Sequence, residues 1–166
     1  MNVDVFISHS ARDEDIARAL TELLRSALNI PHRQIRCTSL AGHGYTVGVS
    51  FNEQLRSEVK EARFFIGLIT PDSIRSPYVL FELGARWGSD KELAPVLAAG
   101  AGPDLLKGPL SVLSALDCSL AGHVHQLVSD VASALGYERV SPELYEHHVS
   151  RLVSLSREKG TSANPT

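Results

Sequence analysis

A tyrosine and a glutamate one helical turn apart are the first residues of this sequence that could carry out chemistry. Tyr78 and Glu82 lie in a segment that Ser76 can cap and that Pro77 can open as the first helical residue. Their spacing of four residues places the aromatic ring and the carboxylate on the same surface of that helix. Such a pair could hold a sugar or a nucleotide beside a negative charge.

Arg86 offers a different explanation for Glu82. The two residues are four apart with the glutamate first, which is the favourable order for an ion pair on a helix surface. Helical spacing also predicts an apolar face formed by Val79, Leu80, Leu83 and Trp87. Trp87 is therefore predicted to pack in the core and not to recognise a substrate.

Strands and helices alternate along the chain around this segment. Strands are predicted at residues 3–7, 34–37, 64–69, 93–97 and 113–118, and helices at residues 10–28, 50–62, 76–88 and 120–135. A capping box at Ser10 and Asp13 opens the first helix. The alternation predicts an α/β fold with an open, doubly wound parallel sheet, whose ligands bind beyond the carboxyl ends of the strands.

Residues beyond Gly136 are predicted to form a C-terminal extension. The domain itself then covers residues 1–136, and residues 137–166 form a helical extension with a polar tail from residue 158. A helix over residues 142–157 would carry the apolar residues Leu144, Val149, Leu152 and Val153. This segment could pack back on the domain, self-associate or lead into another module.

Composition excludes several classes of partner. The chain has 166 residues, 43% of them hydrophobic, and a formal net charge of -3. This size predicts one compact domain, and the charge provides no basic field for direct binding of nucleic acid.

Neither a signal peptide nor an apolar run of about 18 residues is present, so we expect no membrane partner and a cytoplasmic location. His123, His125, His147 and His148 lack a convincing set of Cys or carboxylate partners, and no metal site is predicted.

Several motifs in consecutive order resemble those of a bacterial TIR (Toll/interleukin-1 receptor) domain. They are Phe6-Ile7-Ser8-His9-Ser10 with Asp13, the long loop after the second strand, the apolar run at residues 64–69, and the helix of residues 76–88. The resemblance covers roughly residues 2–135. It implies a flavodoxin-like, three-layer fold with a central parallel sheet of about five strands.

The resemblance also implies an activity and a catalytic residue. Many bacterial TIR domains cleave the nicotinamide–ribose bond of NAD+ with a glutamate on the helix after the third strand, which by its position is Glu82. Enzymes of the family often have tryptophan where this chain has Tyr78 and cysteine where it has Val79. A tyrosine can still stack on a ring of the substrate. Residues 41–50 correspond to the BB loop of the family, which lines the substrate cleft and mediates domain assembly.

Further substrate contacts are predicted where the first two strands end. Ser8 and His9 could bind ribose or phosphate, and ordering of the loop is an equal alternative for His9. Arg36 and Thr38 flank the end of the second strand and could approach phosphates, with an ordinary surface role as the alternative for Arg36. Tyr45 could close over the substrate or take part in a contact between domains.

Two functions follow from these expectations. The first is an NAD+ glycohydrolase or cyclase that uses NAD+ as substrate and needs no cofactor, acting as a bacterial immune effector in antiphage defence. Its partners would be NAD+, other copies in a TIR–TIR homo-oligomer that activates it, and potentially a regulatory domain or activator protein outside this chain. The second is a non-catalytic TIR module for protein–protein interaction.

Overall fold

Five parallel strands form the central sheet in the spatial order β2-β1-β3-β4-β5. The computed structural model describes residues 3–38 and 51–162. The strands are β1 (Val5–Ser8), β2 (Ile35–Thr38), β3 (Phe64–Ile69), β4 (Ala94–Leu97) and β5 (Leu116–Asp117). This order is that of a doubly wound, flavodoxin-like sheet, and the predicted fold class is confirmed.

Helices cover both faces of the sheet and make it the middle of three layers. One face carries α1 (Glu14–Leu28), α4 (Ala121–Leu135) and α5 (Glu146–Ser162), and the other carries α2 (Phe51–Glu61) and α3 (Pro77–Trp87). Successive residues of a strand point to opposite faces. Val5 and Ile7 of β1 accordingly pack on the α1 side, and Phe6 packs on the α3 side. Ser8 at the carboxyl end of β1 shares the α3 side with Phe6.

The sheet divides the apolar core into two parts of unequal size. The larger part lies between the sheet and the three helices α1, α4 and α5. In the smaller part the rings of Phe6 and Phe65 stack with their centroids 5.2 Å apart, and Val79 and Leu83 attach α3 to the sheet. The face that carries α2 and α3 therefore has less apolar area with which to position its helices.

Most predicted elements begin and end close to the observed ones. The apolar run at residues 64–69 has the same bounds as β3, whereas the strand predicted at residues 113–118 is reduced to the two residues of β5. α4 ends where Gly136 adopts a left-handed backbone with a φ of 75°. Within the described ranges, every helix is too short or too polar to cross a lipid bilayer.

The C-terminal helix packs back on the domain, which is one of the three predicted alternatives. α5 extends to Ser162 and so includes part of the predicted polar tail. Val149, Leu152 and Val153 are buried as expected, but Leu144 lies before the helix and is 66% exposed. Further along α5, Ser156 Oγ accepts a hydrogen bond of 3.1 Å from the backbone N–H of Ala99, just after β4.

Candidate active site

Helix α3 buries a stripe that contains two charged residues. Ser76 caps the helix as predicted, because its Oγ accepts a hydrogen bond of 3.5 Å from the backbone N–H of Val79. The buried residues of α3 are Val79, Glu82, Leu83 and Arg86. Their spacing of three and four residues places them on the one side of the helix that faces the sheet.

The large apolar side chains of α3 lie mostly on its outer side. The exposed fractions are 59% for Tyr78, 44% for Leu80, 67% for Phe81 and 55% for Trp87. The predicted apolar face is therefore half wrong, since Leu80 and Trp87 are exposed. The prediction that Trp87 packs in the core fails because Arg86, its neighbour, takes the buried position in the last turn.

Arg86 binds backbone carbonyls and leaves Glu82 without the predicted ion pair. Its Nη1 donates to three carbonyl oxygens at the C-terminal end of α2, those of Val59 (3.1 Å), Lys60 (3.2 Å) and Ala62 (2.9 Å). Its Nε donates to the carbonyl of Glu92 at 2.8 Å. Carbonyls at a helix end lack intrahelical partners, so Arg86 satisfies them and ties α2 to α3. The surface ion-pair interpretation of Glu82 is wrong in the described structure.

Glu82 is a buried carboxyl group with unused hydrogen-bonding capacity. It is 6% exposed, and its Oε2 has no hydrogen-bond partner among residues 3–38 and 51–162. Burial raises the pKa of Glu82 to about 7, because loss of water disfavours the charged form, and the nearby Ser8 hydroxyl partly opposes the rise. Near neutral pH the group therefore exists in both protonation states.

Ser8 supplies a second unused polar atom beside Glu82. It is fully buried, and its Oγ also lacks a hydrogen-bond partner in the part of the chain that the structure describes. A buried polar group without a partner costs about 1–3 kcal/mol, and folded proteins contain few of them. The structure thus brings together two of the predicted site residues, Ser8 and Glu82. Among the described residues neither Ser8 Oγ nor Glu82 Oε2 has a hydrogen-bond partner of ordinary geometry, although the hydroxyl lies close enough to lower the pKa of Glu82.

A glycine on β3 lets α3 approach this corner of the sheet. Gly67 is the parallel partner of Ser8, and a Cβ atom on Gly67 would lie 2.6 Å from Leu83 Cδ2. Leu83 follows Glu82 directly and is 2% exposed. The space left by the missing side chain therefore lets Leu83 seat against β3 and brings Glu82 to the end of β1.

The sequence matches a known family over the region that builds this site. A family model described as a TIR domain matches residues 5–128. The chain belongs to the TIR domain family. The uncharacterized protein YddK of Bacillus subtilis (strain 168) is 26% identical to this TIR domain over 96 residues, which is 58% of the chain. The match spans 36% of that protein's own length.

In this TIR domain His9 orders the loop that follows β1. Its Nδ1 lies 2.7 Å from the carbonyl oxygen of Ser10, which can only accept, so Nδ1 carries the proton and Nε2 is the unprotonated nitrogen of the neutral ring. Burial lowers the pKa of His9, which favours that neutral form. The loop-ordering role predicted as one alternative is present, and contact of His9 with ribose or phosphate stays a prediction.

Arg36 is engaged by a carboxylate within the TIR domain. Its Nε donates to Oε2 of Glu58 on α2 at 2.8 Å, and a second bond from Nη2 to Oε1 makes the pair bidentate. This contact fixes α2 against β2. A phosphate at this position would share the guanidinium with Glu58, so the predicted phosphate contact of Arg36 stays open beside its structural role.

The structure places two of the three remaining predicted contact residues of the TIR domain, Thr38 and Tyr78. Thr38 is the parallel partner of Ser8 at the ends of β2 and β1. Tyr78 stands one helical turn before Glu82, on the exposed side of α3. Tyr45 and the loop at residues 41–50 lie outside the described residues. The roles assigned to these residues in substrate binding stay predictions.

Asp13 is a site residue whose role the sequence did not predict. The capping box expected from Ser10 and Asp13 makes no side-chain bond to the backbone of the helix start. Instead Asp13 Oδ2 accepts hydrogen bonds from Ser10 Oγ and from Thr70 Oγ1, each at 2.5 Å. The spacing of Ser10 and Asp13 indicated a local contact, but no sequence signal pointed to a partner 57 residues away.

Two of the histidines considered as metal ligands have partners within the protein. His123 Nδ1 accepts from the backbone N–H of Asp117 at 3.0 Å, and His125 Nε2 lies 3.0 Å from Glu146 Oε2. Residues 3–38 and 51–162 contain no group of three His, Cys, Asp or Glu side chains arranged to hold a metal ion. At the end of β1, the buried carboxyl group of Glu82 beside the hydroxyl of Ser8 can stabilise a cation or move a proton.

Proposed function

We propose that this TIR domain is an NAD+ nucleosidase that cleaves the nicotinamide–ribose bond with Glu82. The observation that supports it best is the buried carboxyl group of Glu82 beside the end of β1, whose Oε2 has no hydrogen-bond partner among the described residues. Doubly wound sheets bind their ligands at this edge, beyond the carboxyl ends of the strands. An apolar residue would be more stable in the buried stripe of α3, so a carboxylate there is better explained by a ligand than by folding.

The chemistry of the leaving group explains why one carboxylate is enough. Ordinary glycosidases use a second carboxyl group to protonate the departing oxygen. The nicotinamide of NAD+ is a pyridinium ion, and it departs as a neutral molecule when it takes the electron pair of the bond to ribose. The remaining need is to stabilise the positive charge that develops on the ribose, and Glu82 in its charged form supplies it.

Other residues at the same strand ends would orient the substrate. The Ser8 hydroxyl, which makes no hydrogen bond of ordinary geometry within the described part of the chain, can bond a ribose hydroxyl. The exposed ring of Tyr78 can stack on a ring of the dinucleotide. Water adding to the ribose carbon would give ADP-ribose and release one proton. Attack by another atom of the same molecule would give a cyclic isomer instead, and both products belong to the proposal.

Assembly is proposed as the control of this activity. Uncontrolled cleavage of NAD+ would damage the cell that makes the enzyme, which suits an immune effector that is restrained until needed. Copies that associate through their TIR domains would shift the population towards a conformation with a complete cleft. A regulatory domain or activator outside this chain could drive that association.

Release of nicotinamide by concentrated or artificially clustered protein tests the proposal. Glu82→Gln keeps the shape of the side chain and removes its charge, so we expect the rate to fall by at least about a hundredfold. Glu138→Gln makes the same change at an exposed position and should retain full activity. Equal rates in the wild-type protein and in Glu82→Gln, with matching circular dichroism, would remove Glu82 from the mechanism.

A second candidate function is a non-catalytic TIR interaction module. The observation that favours it is the exposed apolar surface of α3, formed by Leu80, Phe81 and Trp87. Exposed apolar side chains that form a patch on one element can mark a site of protein association. A clustered wild-type protein that binds its own copies and releases no nicotinamide would favour this function over the first.

A further inference from the structure

A buried aspartate joins the two chain segments that carry the unpaired groups of the site. Asp13 is 1% exposed, and its Oδ2 accepts the hydroxyl protons of Ser10 and Thr70. Ser10 follows β1, two residues after Ser8, and Thr70 follows β3 directly. One carboxylate oxygen therefore bridges the exits of the two central strands.

The bonds continue from Thr70 to the start of the helix that carries Glu82. The backbone N–H of Thr70 donates to Ser73 Oγ at 2.8 Å, and the backbone N–H of Ser73 donates to Thr70 Oγ1 at 2.9 Å. The backbone N–H of Ser76 then donates to the carbonyl of Ser73 at 3.0 Å. Because Ser76 caps α3, an unbroken series of hydrogen bonds links the end of β1 to that helix. We call Ser10, Asp13, Thr70 and Ser73 the Asp13 network.

The unfilled hydrogen-bonding capacity that Ser8 Oγ and Glu82 Oε2 show within the described residues needs such a restraint. The two side chains lie close enough to affect the pKa of Glu82, yet neither Ser8 Oγ nor Glu82 Oε2 makes a hydrogen bond of ordinary geometry to a described residue. Closing such a pair into a full hydrogen bond, or hydrating it, lowers the free energy, so the pair stays open only if the backbone around it is held. The Asp13 network holds both sides: Ser8 through Ser10, and Glu82 through the cap of α3. Every member of this network is itself buried and hydrogen-bonded, which makes the restraint rigid.

We propose that Asp13 is a positioning residue. Its hydrogen bond to Thr70 fixes the separation between Ser8 at the end of β1 and Glu82 on α3, and so keeps both groups available to the substrate. The proposal rests on the nucleosidase function proposed above. It assigns Asp13 no contact with NAD+. Its effect on catalysis is expected to be large because a displacement of about 1 Å at a reacting group can lower a rate by about a hundredfold.

Thr70 and Thr21 provide a matched pair of variants for the test. Both are buried threonines, but Thr21 Oγ1 donates to the carbonyl of Ala17 within α1 at 2.9 Å, on the other face of the sheet. Thr70→Val should lower kcat for nicotinamide release by at least about tenfold with little change in KM, whereas Thr21→Val should leave both unchanged. Thr70→Ser keeps the hydroxyl and should remain within about threefold of the wild-type rate.

A second measurement follows Glu82 itself and does not need activity. The carboxyl carbon of Glu82, assigned by its disappearance in Glu82→Gln, can be titrated by NMR in the full chain. Loss of the restraint should let water reach Glu82, so its pKa should fall in Thr70→Val towards the ordinary glutamate value and stay unchanged in Thr21→Val. Asp13→Asn, which retains one carbonyl acceptor, replaces Thr70→Val if that variant does not fold, with a smaller fall expected.

The outcomes separate this proposal from the proposed function. Loss of kcat and a lowered Glu82 pKa in Thr70→Val, at a melting temperature matched by Thr21→Val, would support a positioning role. Equal kcat and equal Glu82 pKa in the two variants would overturn it. If the wild-type protein releases no nicotinamide, the nucleosidase function fails, and the titration of Glu82 still decides whether the Asp13 network positions this group.

Discussion

The two faces of the central sheet position their helices in different ways. On one face α1, α4 and α5 bury apolar side chains in a large core, as the hydrophobic pattern of their sequences requires. On the other face α3 buries Glu82 and Arg86 and exposes Leu80, Phe81 and Trp87. A helix that departs from its own hydrophobic pattern must be fixed by specific polar contacts, and departures of this kind concentrate at functional sites.

The two buried ionisable residues of α3, Arg86 and Glu82, differ in their hydrogen-bond partners. Arg86 donates to four backbone carbonyls and so has a structural explanation. Glu82, one turn away, has an oxygen with no partner among the residues described and a pKa raised to about 7. The hydrogen bonds of Arg86 therefore fix the position of α3, and this position holds Glu82 beside the end of β1. Stability should depend strongly on the first residue and activity on the second.

The largest effect on stability is expected from Arg86→Met. The carbonyls of Val59 and Ala62, whose bonds to Arg86 are buried, and the part-buried carbonyls of Lys60 and Glu92 would lose their donor. Each buried unsatisfied group costs about 1–3 kcal/mol, so the free energy of unfolding should fall by about 3 kcal/mol or more. Urea unfolding followed by circular dichroism measures the change. Arg36→Met, which breaks one partly exposed ion pair, should cost about 1 kcal/mol or less. Similar losses in both variants would mean that Arg86 does not anchor α3.

A smaller effect, with the opposite sign, is expected from Glu82→Gln as a function of pH. The pKa of Glu82 rises from the ordinary 4.5 to about 7 on folding, so between these values the folded state binds the proton more tightly than the unfolded state. The contribution of Glu82 to stability is therefore lost as pH rises from about 4.5 to 7. Glu82→Gln should become progressively more stable relative to wild type across this window, by up to about 3 kcal/mol, and the difference should be constant above it.

The control for this pH dependence is Glu138→Gln, whose side chain is exposed. Its free energy of unfolding should run parallel to that of the wild-type protein from pH 4 to pH 8. A Glu82→Gln curve that also stays parallel to wild type would show that burial does not perturb Glu82. Glu82 would then not differ from an ordinary exposed glutamate in the pH dependence of its contribution to stability.

The sequence predicted the elements well and the polar contacts poorly. Helix caps and apolar runs are local signals, so β3 and the start of α3 at Ser76 agree with the structure. The buried side of α3 was predicted from apolar periodicity, which cannot register that Arg86 reaches carbonyls 24 to 27 residues earlier. For the same reason Asp13 gave only the signal of a capping box. Its bond to Thr70 exists only once two strands lie side by side.

The smallest effect on stability is expected where the outer surface of α3 is made polar. Phe81→Ser combined with Trp87→Ser removes exposed rings from solvent-facing positions, so the free energy of unfolding should change by less than about 0.5 kcal/mol per site.

If this outer surface of α3 joins copies of the TIR domain, sedimentation of the double variant at high concentration should show weaker self-association. Val112→Ser and Leu144→Ser alter residues that are also exposed but belong to other elements, and should leave association unchanged. Equal association in both pairs of variants would assign the contact to another surface. A loss of nicotinamide release that follows the loss of association, and that is restored by artificial clustering, would connect the exposed side of α3 to the buried carboxylate on its other side.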